Sequence, residues 1–102
     1  MVINIQKYLS NTYNIPINML KGKINIKSSE QYKIYNLSIL LSWLLHPTQV
    51  YGSKSLIARL HSCKRNRVHR LFGLYNRNAS FKSFVDKALE SYNIQNASNR
   101  KT

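Results

Sequence analysis

Residues 61–70 read HSCKRNRVHR and gather two histidines, one cysteine, one lysine and three arginines within ten positions. Three chemistries draw on such residues: metal ligation, thiol catalysis, and recognition of phosphate and base edges. A structural zinc takes four Cys or His ligands, often from C-x-x-C pairs, whereas Cys63 is the chain's one cysteine. Arg65 and Arg67 beside it would also repel a dication, so no metal is expected. Nearby cations and a helix N-terminus can activate a thiol. No set of acyl or redox partners accompanies Cys63, which reads as a small residue in a tight turn. His61 and His69 read as turn and helix residues. Recognition of a polyanion remains.

The composition points the same way. Sixteen Lys and Arg face three acids in 102 residues, a formal charge of +13 that a polyanionic partner would offset. Glu30, Asp86 and Glu90 are too few for two-metal chemistry, and Asp86 and Glu90 suit a solvated helix face with Lys82 and Lys87. Neither an enzyme nor a cofactor is expected. A single cysteine cannot form an internal disulfide, and no signal peptide is expected from the opening residues. The apolar stretch LSILLSWLL at 37–45 is too short for a bilayer, which needs about 20 such residues. A soluble cytoplasmic protein is expected, without a membrane partner.

The elements that would position the cations are helical throughout. Val2, Ile5, Leu9 and Tyr13 recur at near-helical spacing; a short second helix starts near Pro16 and stops at Gly22. Residues 21–29 read as an exposed basic loop. From Glu30 to about Leu45 the chain is apolar nearly all round, the mark of a buried central helix, and His46-Pro47 ends it. Ser53 is a candidate cap for a helix turning Leu56, Ile57 and Leu60 inward. After a turn at 61–63, Val68, Leu71, Phe72 and Tyr75 form the inner stripe of the next helix. Ser80 then caps a helix carrying Phe81, Phe84, Val85, Ala88, Leu89 and Tyr92. The expectation is an all-α fold of five to six helices, with residues 1–92 as one DNA-binding domain and 93–102 as a polar flexible tail.

Residues 53–76 thus form a helix-turn-helix whose second helix bears the cations. Such a helix enters the DNA major groove, with its early residues at base edges. Arg pairs with guanine and Asn with adenine, so Asn66, Arg67 and Arg70 are the candidate base readers. Ser53, Lys54, Lys64, Arg65 and His69 are the candidate phosphate contacts.

The stretch NIQKYLSNTYNIPINMLKGK at 4–23 resembles the opening of the C-terminal DNA-binding domain of the bacterial replication initiator DnaA. The likeness covers roughly residues 2–92, and the basic loop, long apolar helix, helix-turn-helix and closing helix follow in that family's order. It implies a monomeric reader of double-stranded DNA, with a basic residue of the loop reaching the minor groove. Lys27 lies closest to that position, with Lys23 nearby. Two features depart from the family. Ile24 and Asn25 stand where it has arginines, and SCKRNR at 62–67 replaces its signature GGRDHTT. Fold and general DNA binding therefore carry over better than a target sequence. The initiator's ATPase domain has no counterpart here, so origin melting is not expected.

Two functions from different classes follow. One is a stand-alone, nucleoid-associated DNA-binding module in replication control, regulation or a mobile element. The other is an interaction domain that uses the same scaffold to bind a replication protein. RNA binding ranks third, because no stacking surface shows among the cations.

Overall fold

The computed structural model describes residues 2–100 and is all-α, with six helices among those residues. They are α1 (Val2–Tyr13), α2 (Ile17–Leu20), α3 (Ser29–Leu44), α4 (Tyr51–Leu60), α5 (Arg65–Arg77) and α6 (Ala79–Arg100). Among them, none is long and apolar enough to cross a membrane.

The apolar circumference of α3 makes it the hub, and it packs against each of the other five helices. Ile34, Leu37, Ile39, Leu40, Leu41 and Trp43 are all buried. Its start is secured locally: Ser28 accepts a hydrogen bond from the Gln31 backbone N–H at 3.1 Å, while the Gln31 side chain accepts from the Lys27 N–H. At its far end Trp43 meets Phe72 of α5 edge-on, with 6.1 Å between ring centroids. Val68 and Leu71 of α5 are buried as the expected stripe requires, with Phe72 and Tyr75 packed beside them.

Four expectations need correction. The Tyr13 side chain is 38% exposed, because residues 11–14 form a last turn that reaches past the core. Ser53 does not cap α4. That helix begins at Tyr51 after Val50, and the buried Ser53 hydroxyl donates to the Thr48 carbonyl. Leu56 and Leu60 face outward, since the inner stripe of α4 runs through Ser53, Ile57 and His61 at i, i+4 and i+8. Two polar residues on that stripe hide it from an apolarity pattern. Asn78 rather than Ser80 caps α6, its side-chain carbonyl accepting from the Phe81 N–H at 2.9 Å.

The core ends at the buried Tyr92, whose ring meets Tyr8 edge-on at 5.2 Å. Residues 93–100 nevertheless continue α6, since neither Gly nor Pro interrupts it. The remaining two residues of the expected tail, 101 and 102, lie outside the described residues.

Candidate nucleic-acid interface

The basic loop and the helix-turn-helix are joined by one backbone crossing. Gly22 holds φ 75°, and a Cβ there would lie 2.3 Å from the His61 carbonyl oxygen and 2.8 Å from Ser62 Cβ. Only glycine lets the loop approach the turn so closely. Ser62, itself in the left-handed region at φ 56°, donates its hydroxyl to the Lys21 carbonyl at 2.7 Å. This seam fixes the loop against the turn that introduces α5.

Buried polar groups hold the seam from beneath. Gln6 of α1 donates to the Leu60 carbonyl at 3.2 Å and to the Leu20 carbonyl at 3.4 Å, linking the ends of α4 and α2. The Tyr35 hydroxyl donates to the His61 carbonyl at 2.6 Å. The His61 ring is fully buried between the Ile57 carbonyl, 2.9 Å from Nδ1, and the Ser38 hydroxyl, 2.8 Å from Nε2. A carbonyl can only accept, so Nδ1 carries the proton of the neutral ring and Nε2 accepts from Ser38. Burial pushes the His61 pKa down to about 4, against a smaller opposing effect of the Ile57 bond. Burial also raises the Cys63 thiol and the Tyr35 hydroxyl.

Beside the seam opens a groove of about 560 Å³ between the loop, α3 and the start of α5. Gly22, Ile24, Asn25 and Ile26 form the loop wall; Lys64, Arg67 and Arg70 come from the α5 side; Tyr32 and Tyr35 come from α3. The exposed Tyr32 does therefore stand among the cations, contrary to the expectation that no aromatic surface would. Lys64 sits at the N-cap of α5 and Arg65 in its first turn, so their charge joins the positive end of the helix dipole. A groove of this kind suits an anion.

The expected site residues divide accordingly. Lys64, Arg67 and Arg70 share the groove wall, and Asn66 is exposed in the first turn of the same helix. Arg67 is not free to project. Its Nη1 donates to Asn36 Oδ1 at 3.1 Å, and its guanidinium lies 5.0 Å from the Tyr32 ring centroid. Lys54 and His69 lie together across α4 and α5, with Nζ 3.3 Å from Nδ1, and the Lys54 ammonium is 5.1 Å from the Trp43 ring centroid. Lys27 is exposed at the loop's end. Lys23 lines a different groove, on the far side of the seam. Ser53 is withdrawn from the surface and cannot meet a phosphate as placed. His61, Cys63 and His69 are not brought together, and among the described residues no three His, Cys, Asp or Glu converge.

Sequence reasoning missed Gly22 as the contact point, Gln6 and Ser38 as buried partners, and Asn36 with Tyr32 as the seat of Arg67. Gly22 was visible as a helix stop, and the glycine was the available signal. The others take their roles from partners 14–54 positions away. No family model, curated protein or solved structure matches this chain.

Proposed function

We propose that this chain is a non-enzymatic double-stranded DNA-binding module that lays α5 in the major groove. The carrying observation is the groove on which Lys64, Arg67 and Arg70 of the α5 side converge opposite the loop backbone, in a chain of formal charge +13. Arg70 and Asn66 are the base readers of this proposal, because both are exposed on the helix face opposite the buried Val68 and Leu71. Arg67 has a mixed role: one N–H group is committed to Asn36, and the remaining donors of its fork are left for DNA. Lys64 and Arg65 bind phosphate at the helix start, and Lys54 with His69 extends that contact along the backbone.

Lys27 reaches the minor groove at the loop's end. Lys23, expected beside it, faces the other side of the seam and takes no part in this contact. The resemblance of residues 4–23 to the replication initiator's DNA-binding domain favours replication control as the process served, with the chain associated with the nucleoid.

A salt titration on duplex DNA tests the reading. If about five to seven phosphates are neutralised, the log–log slope of affinity against salt lies near −5 to −6. A flat titration, or equal affinity for single-stranded DNA and RNA of the same length, would overturn it.

A further inference from the structure

Across the seam from the cationic groove, α1, α4 and the α3–α4 connection enclose a second groove of about 590 Å³. Its floor is apolar and open to solvent. Ile3, Leu56 and Leu60 are 39%, 40% and 42% exposed, and Pro47 lies beside them. Three large aliphatic side chains left exposed in one concavity are the mark of a binding surface rather than of scattered surface residues. Its lining also holds Lys21, Lys23 and Arg59. None of the acidic side chains, Glu30, Asp86 and Glu90, lines it, so among the described residues no carboxylate supplies counter-charge there.

We propose that this groove docks an acidic amphipathic helix of a partner protein. Its large apolar residues would fill the Ile3, Leu56 and Leu60 floor, and its carboxylates would meet Lys21, Lys23 and Arg59. Helix-in-groove recognition uses apolar anchors at i, i+3 or i+4, and i+7 over such a floor. Opposite charge around the rim steers the encounter and sets orientation. Nucleic acid fits less well, because a phosphate backbone gains nothing from exposed leucines. A bilayer fits less well too, since a surface-lying helix offers a protruding apolar face rather than a concavity. The inference stands apart from the DNA-binding proposal and survives its failure.

The probe is a synthetic peptide on the order of 15 residues, with Leu at the anchor spacing and Glu elsewhere. Two control peptides replace its Leu by Ser, or its Glu by Lys. Binding to the ¹⁵N-labelled 102-residue chain should shift backbone amides at Ile3, Leu56, Arg59 and Leu60, and both controls should lose it. Leu60→Ser should weaken the probe about tenfold, as expected for one lost buried leucine contact, and leave duplex DNA affinity unchanged. Arg59→Glu, a substitution at an exposed position, repeats the test should the first variant fail to fold.

The proposal falls on any of four results. The probe fails to bind, or the Ser control binds as tightly. The shifts map to the α5 groove, as for a mere polyanion. Vesicles of anionic phospholipid bind through Leu60 in preference to the peptide.

Discussion

The groove beside α5 is walled by the loop backbone, two tyrosines and the Lys64, Arg67 and Arg70 cations. The groove beyond the seam has similar volume and also carries three cations, yet its floor is Ile3, Leu56 and Leu60. Charge alone does not separate them. What differs is the surface beneath the charges: Tyr32 and Tyr35 with the loop residues Ile24, Asn25 and Ile26 on one side, Ile3, Leu56 and Leu60 on the other. In the two proposals the first groove meets a phosphate backbone and the second a protein helix. Both depend on the same crossing of residues 21–22 over 61–62, so a change at the crossing should damage both and a change on either floor only one.

Gly22→Ala is the strongest way to break the pair. A left-handed backbone angle penalises any Cβ, and this one would also strike the His61 carbonyl. We expect a loss of about 3 kcal/mol in urea unfolding, with duplex binding falling in parallel. Unchanged stability would mean that the loop does not lean on the turn.

Acid should loosen the seam next. His61 is buried neutral, with its pKa lowered from 6.5 to about 4. The unfolded chain therefore takes up a proton below pH 6.5, while the folded chain resists until about pH 4. Stability is full above pH 6.5 and falls through that window, by up to about 3 kcal/mol. The fall should shrink markedly in His61→Gln. A variant that keeps the whole slope would assign it to other groups.

Within the α5 groove, Arg70→Ala or Asn66→Ala should weaken the preferred duplex by about 1–3 kcal/mol and relax selection at particular base pairs. Arg67→Ala should lower both binding and stability, because its guanidinium also holds Asn36 and the Tyr32 ring. Should selection from random duplexes return the same sequence for the Arg70 and Asn66 variants, base reading by α5 would be wrong.

Lys64→Ala is the mildest change. It should weaken all duplexes alike and lower the salt slope by roughly one unit. Lys27→Ala should act on preference instead, blunting any A·T bias at the flank of the site. If Lys64→Ala alters sequence preference, the phosphate assignment fails.

Much of this architecture was legible from periodicity. Apolar residues around all of α3 announced a central helix, and Val68, Leu71, Phe72 and Tyr75 announced the inner face of α5. With that stripe inward, geometry alone turns Asn66 and Arg70 outward, so the cationic helix was readable before any fold. α4 escaped the same logic. Its inner stripe carries Ser53 and His61, whose polar groups are satisfied only by Thr48, Ser38 and the Ile57 carbonyl once the chain has folded.

The sequence by itself therefore determined the helices, the excess of positive charge and the outward face of α5, because these follow from local spacing. Tertiary structure decided which cations share a groove, why Arg67 turns back to Asn36, and that Leu56 and Leu60 stay exposed. It also turned Gly22 from a helix stop into the contact between loop and turn. Arg67 and Asn36 stand 31 positions apart and Gly22 and His61 stand 39 apart, and a hydrogen bond or a steric gap of that kind leaves no period to read.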